Sequence, residues 1–255
     1  MRFCSKKVST LFALSIRTNF EMCVYTEKGG EWMKIVFVSR GRISAQKDEL
    51  LSVGADVIVG GFRCLGEVGY ERELRGETRY FEEVAELSQN AKATVICGCI
   101  TDTKGFKRKS AVVAENGKIL GVSDMLNVVD GEMNSGAALK VYDTQAGKIG
   151  VMVSEDLYFP EVAKALTLCG SDVIICPYGV VENGIESVLI RAQAFCYGAP
   201  ICLCGVGYSA IGGADGSLVF ASPLSPVVTE FEKVREYHLV ETRQRGFYRP
   251  PRKMY

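Results

Sequence analysis

The chain carries no net charge: thirty lysines and arginines balance thirty aspartates and glutamates. A nucleic-acid-binding domain is expected to be basic, so composition gives no electrostatic footprint for that partner. No apolar run approaches the ~18 residues of a membrane-spanning helix, and none is expected. A convincing export signal is also missing. Lys6-Lys7 precedes an apolar run from Val8 to Ile16, but Ser9, Thr10 and Ser15 interrupt it. Arg17 follows without a small-x-small cleavage site. The sequence has no internal repeat, linker or low-complexity segment. Histidine is nearly absent, with His238 the only one. The glycine-rich stretch from Gly205 to Gly216 lacks the Gly-Lys-Ser/Thr ending of a phosphate loop.

What is present fits one α/β domain with a large core. The length is 255 residues, with 47% hydrophobic and 24% charged residues. Ten cysteines is a high count. Their spacing is not that of a small secreted disulfide scaffold, and most sit in apolar runs such as Val95-Ile96-Cys97 and Ile174-Ile175-Cys176. A reducing, cytoplasmic setting is expected. Two Cys-x-Cys pairs, Cys97/Cys99 and Cys202/Cys204, put two thiols on one strand face each. Four thiols can hold zinc or a cluster, but Cys-x-Cys is not the usual Cys-x₂₋₄-Cys spacing. Core packing is the plainer reading, and neither metal nor cofactor is expected.

Regular pattern begins at Met33. Lys34 to Ser39 reads as a strand and Ser44 to Val53 as a helix with Ser44 as N-cap. Asp56 to Val59 reads as a buried strand, Glu71 to Ala91 as one long amphipathic helix, and Ala93 to Ile100 as another buried strand. Asn116-Gly117 is a strong two-residue hairpin signal between Ser110–Glu115 and Lys118–Val122. A second strand pair flanks Ala146-Gly147. Phe159 to Cys169 reads as a helix with Pro160 in its first turn. Asp172 to Cys176 then reads as a strand and Gly184 to Tyr197 as a helix. Pro200 to Val240 reads as strands and turns, with a hairpin signal at Asp215-Gly216. Helices covering mixed sheets would satisfy this order.

The run Gly150-Val-Met-Val-Ser-Glu-Asp-Leu-Tyr-Phe-Pro-Glu161 resembles a segment of the nitrilase, or carbon–nitrogen hydrolase, superfamily. In that family a strand ends on a nucleophilic cysteine, an Asp follows, and Phe-Pro-Glu opens a helix. Asp156, Phe159, Pro160 and Glu161 match. So do Gly54-Ala55-Asp56-Val57-Ile58-Val59, Gly117-Lys118-Ile119-Leu120-Gly121, and Gly131-Glu132 with Gly136. Further along, Gly170-Ser171-Asp172 through Pro177, Arg191-Ala192-Gln193-Ala194, and Tyr208-Ser209 with Asp215-Gly216 match as well. The resemblance runs in order from Met33 to Val240. It implies an αββα four-layer sandwich, a Glu-Lys-Cys triad that hydrolyses amides or nitriles, and assembly into homodimers or larger.

The triad itself departs from the family. Ser154 stands at the cysteine, Met125 at the lysine counted from Gly117, and Phe62 at the glutamate. Cys196 and Tyr197 also stand where the family usually has Glu-Asn. A serine hydroxyl is a weaker nucleophile than a thiol and needs an adjacent base. Phe62 cannot accept a proton, and Met125 carries no charge. General-base and electrostatic contributions are each typically worth ~10² to 10⁴ in rate. Losing all three should remove most of the chemistry and leave an apolar pocket suited to a neutral ligand.

Three readings follow. The first is a carbon–nitrogen hydrolase-like protein without catalysis, kept for small-ligand or partner binding, its pocket formed by Phe62, Met125, Glu132, Ser154, Glu155 and Tyr158. The second is an amide-type hydrolase rebuilt around Ser154, with Glu132, Glu67 or His238 as base. Against it, Glu132 reads as a hydrogen-bond anchor and His238 as a strand-face residue. Glu155 should point to the opposite strand face from Ser154. The third is a thiol-based metal or redox protein. Residues 1–32 read as an N-terminal extension not translated in vivo, because Glu27 to Glu31 can be encoded by a stretch resembling a bacterial ribosome-binding site just before Met33. The carbon–nitrogen hydrolase-like domain covers 33–242. The basic tail 243–255, with Phe247, Tyr248 and Tyr255, reads as solvated or subunit-crossing.

Overall fold

A computed structural model of the chain describes residues 31–129, 131, 133–182 and 184–234. Glu132, His238, the extension through residue 30 and the tail 243–255 lie outside the described residues. The first half runs β1 (Glu31–Val38), α1 (Lys47–Val53), β2 (Val57–Gly60), β3 (Gly66–Gly69), α2 (Tyr70–Leu74) and α3 (Tyr80–Ala91). It continues with β4 (Thr94–Thr103), β5 (Phe106–Glu115) and β6 (Lys118–Asp124). The second half runs β7 (Lys140–Thr144), β8 (Gly147–Val151), α4 (Pro160–Leu168), β9 (Val173–Val180) and α5 (Ile185–Tyr197). Strands β10 (Ile201–Val206), β11 (Tyr208–Gly212), β12 (Leu218–Ser222) and β13 (Val227–Lys233) complete it.

Two mixed sheets result. One has the order β13-β1-β2-β4-β5-β6, with β3 also paired to β4; the other has the order β12-β11-β10-β9-β8-β7. Strand alternation gives each sheet two apolar faces, and three cores follow. Ile35, Phe37, Val59, Ile96 and Val113 of the first sheet meet Ile149, Val151, Ile175 and Ile211 of the second. On the outer face of the first sheet, Val36, Val38, Ile58 and Val95 pack against Leu50 of α1 and Val84 and Leu87 of α3. On the outer face of the second, Ile174, Ile201 and Leu203 pack against Leu166 of α4 and Ile190 and Ala194 of α5. The layers are therefore α, β, β, α, the expected sandwich.

Local expectations hold at the turns. Asn116 and Gly117 both take positive φ in the β5–β6 hairpin. Pro160 opens α4, and Asp215-Gly216 joins β11 to β12. Three details differ. Strand β1 starts at Glu31, two residues before Met33, and Trp32 pairs with Glu232 of β13. Residues 44–46 form a 3-10 turn, α1 starts only at Lys47, and no side chain caps either element, so Ser44 is not an N-cap. The long helix from Glu71 to Ala91 is broken: α2 ends at Leu74, and Gly76 takes φ +71. The break is built in. Glu73 Oε1 and Oε2 accept from the backbone N–H groups of Tyr80 and Phe81 at 3.2 and 3.1 Å, so a residue of α2 caps α3.

Candidate functional site

The three residues that the sequence reading assigns to the triad positions, Phe62, Met125 and Ser154, lie in or next to the layer between the sheets. Phe62, just beyond β2, packs against the inter-sheet core, and its loop lies tight on β10. A Cβ at Gly61 would stand 3.3 Å from Cys204 O, so the close approach needs glycine there. Met125, just beyond β6, is buried in the same core. Val151 and Val153, also in that core, lead into Ser154.

Ser154 sits at the sharpest point of the site. Strand β8 ends at Val151, and residues 154–158 form a 3-10 turn. Ser154 has φ +51, a left-handed conformation uncommon for a residue with a side chain. It is 0% exposed, and its Oγ has no hydrogen-bond partner among the described residues. Leaving a buried hydroxyl unpaired costs on the order of 1–3 kcal/mol. The turn also overturns the expectation for Glu155. Alternation applies to strands, and at 154–155 the chain is no longer a strand, so the two side chains need not oppose each other. The Ser154 hydroxyl lies near enough to help lower the Glu155 pKa, though without hydrogen-bond geometry to it.

Glu155 meets a residue the sequence reading did not single out. Lys109 Nζ donates to Glu155 Oε1 at 2.5 Å, and the two side chains are only 18% and 23% exposed. Burial pushes the Glu155 carboxyl up, but hydrogen bonding and charge from Lys109, with the help of Ser154, outweigh it and leave the pKa below its ordinary value. Glu155 Oε2, by contrast, is buried without a partner among the described residues. Lys109 lies on β5, and its carbonyl accepts from Met125 N at 2.8 Å. A lysine thus stands cross-strand from Met125. The expected charge-free pocket is not what forms.

Asp156 holds this arrangement together. Its buried carboxylate accepts from the backbone N–H groups of Leu126 and Asn127 and from Asn127 Nδ2, at 2.8 to 3.1 Å. It thereby clamps the segment after β6, with Met125, to the turn that carries Ser154. Burial still leaves its pKa above the ordinary value, against the pull of those donors. From α5, Gln193 Nε2 donates to Leu157 O at 2.6 Å and fixes the far end of the turn.

Other candidates are placed elsewhere. Glu67 pairs with Lys107 at 2.9 Å. Tyr158 is largely exposed, and its hydroxyl accepts from Tyr178 Oη at 3.0 Å. The cysteine pairs face different layers: Cys97 and Cys99 pack on the helix side of the first sheet, Cys202 and Cys204 between the sheets. Burial pushes the Cys99 thiol up to about 12, and Cys97 and Cys204 well above the ordinary value. No group of three or more His, Cys, Asp or Glu among the described residues could hold a metal ion. No described helix is long and apolar enough to cross a membrane. A cavity of about 410 Å³ lies away from the triad positions, lined by residues that include Trp32, Pro200, Asp215, Glu230 and Val234.

Comparison with known proteins agrees with the architecture. A probable nitrilase from Schizosaccharomyces pombe is 27% identical over 129 residues, 47% of each chain. The citrullinase of Francisella tularensis is 31% identical over 78 residues, 28% of this chain and 27% of that protein. The alignments thus span about half or less of these curated relatives. Among solved structures, a variant of the Nesterenkonia AN1 amidase from the nitrilase superfamily superposes with a TM-score of 0.70 at 14% identity, covering 87% of this chain and 97% of that one. A carbon–nitrogen hydrolase from Helicobacter pylori gives 0.64 at 18% identity, covering 85% and 94%. These structural matches establish the fold. The carbon–nitrogen hydrolase family model matches residues 51–228, well over half of the chain, and this protein belongs to that family.

Proposed function

We propose that this chain uses the carbon–nitrogen hydrolase fold to bind a small ligand at Ser154 without cleaving it. One observation carries the reading: Ser154 Oγ is buried with no base bonded to it among the described residues. The sequence assignment of Phe62 and Met125 to the base and cation positions supports it, and both side chains belong to or pack on the inter-sheet core. A serine without a base is a poor nucleophile. The test is turnover of a panel of amides, nitriles and carbamoyl compounds by the protein and by Ser154→Ala. Both are expected to be flat, and Ser154→Cys alone should add little, because Phe62 and Met125 supply neither base nor cation. Turnover that disappears in Ser154→Ala would overturn the reading.

The rebuilt-site reading has its own supporting observation, because Glu155 and Lys109 put a carboxylate and a cation beside Ser154. Against it, Glu155 is held low and already engaged by Lys109, which makes it a weak base near neutral pH. The same assay separates the two. We also propose a homodimer or larger assembly, supported by exposed apolar Ile185, Val188 and Phe195 on α5. A clean monomer by light scattering at micromolar concentration would contradict this.

A further inference from the structure

The cavity of about 410 Å³ has no part in the Ser154 site. It lies at one edge of the sandwich, where β13 borders the first sheet and β12 the second. Its lining is apolar and acidic. Trp32, Pro200 and Val219 supply apolar surface, and the exposed Asp215, Glu230 and Glu232 supply carboxylates. No lysine or arginine stands among the described lining residues. The lysines of β1 and β13 are committed elsewhere: Lys34 donates to Val53 O at 2.9 Å, and Lys233 donates to Glu31 and to Ala146 O, each at 2.8 Å. Two features of this edge call for cover. Trp32 is 66% exposed. Strand β13 is the outermost strand of its sheet among the described residues, and an outer strand offers unpaired backbone groups to other chains.

The sequence holds a matching partner. Val234 itself lines the cavity, and the chain runs on from it. Residues 243–255 carry five basic residues from Arg243 to Lys253, no acidic one, and the aromatic Phe247, Tyr248 and Tyr255. Cations answer the carboxylates, rings answer Trp32 and Val219, and guanidinium groups can lie on an indole face. Arg243 follows Val234 by nine positions. That stretch reaches up to about 30 Å when extended. A tether this short holds the segment at an effective concentration in the millimolar range, above that of a second copy at micromolar concentration.

We propose that this cavity is the docking site of the chain's own segment 243–255, which covers Trp32 and the outer strand β13. The segment is then neither solvated nor given to a partner subunit. Its aromatic side chains enter the cavity, and its basic residues meet Asp215, Glu230 and Glu232 at the rim. The assignment is independent of what Ser154 does.

Trp32 is the only tryptophan, so its fluorescence reports on the cavity directly. The test measures quenching by acrylamide in the full chain from Met1. Phe247→Ser with Tyr248→Ser should raise the quenching constant at least twofold and shift the emission to the red, with circular dichroism unchanged. Glu230→Lys alters the other side of the contact at an exposed position and should have the same effect, as should high salt on the parent. Unchanged quenching in either variant overturns the proposal. A mixed sample assigns the owner of the segment. Phe247→Ser/Tyr248→Ser chains are co-expressed with Trp32→Phe chains that keep the aromatic segment. Trp32 should stay accessible there. Protection in that sample would mean that the segment crosses between copies, and it overturns docking on the same chain.

Discussion

Two halves of one short turn behave in opposite ways. At Asp156 a buried carboxylate collects backbone and side-chain N–H groups and ties the end of β6 to the turn. Two residues earlier, Ser154 is buried, bent into positive φ and bonded to nothing described. The first half is scaffold, and its Asp156 is a residue on which the sequence resemblance rests. The second half is where the chemistry would be, and there the polar atoms are left over. A fold can keep every contact that shapes a cavity while the groups that acted inside it are replaced, because the two sets are different atoms.

The largest expected effect tests the scaffold half. Asp156→Ala leaves the N–H groups of Leu126 and Asn127 without their acceptor and frees the segment after β6. Losing hydrogen bonds to a buried charge should cost roughly 3 kcal/mol or more, read by chemical denaturation. Ser154→Gly should do the reverse, removing an unpaired hydroxyl and relaxing a left-handed residue for a gain of about 1–2 kcal/mol. If the glycine variant is destabilised instead, Ser154 Oγ has a partner in solution and the contrast between the halves fails.

Much of the scaffold was legible because its signals are local. Asn116-Gly117, Pro160 and Asp215-Gly216 each specify a turn by their own backbone preferences, and the alternating strands specify the layers. The long helix from Glu71 was misread because Gly76 is one weak breaker inside a strong period, and the real stop is the reach of Glu73 to Tyr80 and Phe81. Met125 and Phe62 belong to or pack on the inter-sheet core, and Val153 of the same core leads into Ser154. Lys109 was missed although a signal existed. A two-residue turn at Asn116-Gly117 pairs residue 109 with the neighbourhood of 124 and 125, but counting along β6 alone looks for the lysine on one strand only. Glu155 was misjudged because strand alternation was carried past the point where β8 ends. Glu132 and His238 fall outside the described residues.

The smallest effect separates the two neighbouring carboxylates by pH. The Glu155 pKa lies below its ordinary value of 4.5, with burial opposing and Lys109 prevailing. A carboxyl with a lowered folded-state pKa adds stability that is fully present above the unfolded pKa and is lost as pH falls through the folded one. The Asp156 pKa lies above its ordinary value of 3.8, chiefly from burial, so its ionised form is disfavoured by folding and acid relieves that cost. Glu155→Gln should therefore be less stable than the parent by about 1 kcal/mol near neutral pH, the size of a good partly buried ion pair. That difference should shrink as pH drops below the ordinary Glu value, because the parent then loses the pair the variant never had. Asp156 contributes equally to both proteins and cancels. Denaturation midpoints of parent and Glu155→Gln, compared at neutral and at acid pH, make the measurement. A gap that stays constant with pH would mean that Lys109 does not hold Glu155 ionised, and the contrast between the halves would lose the Lys109–Glu155 pair.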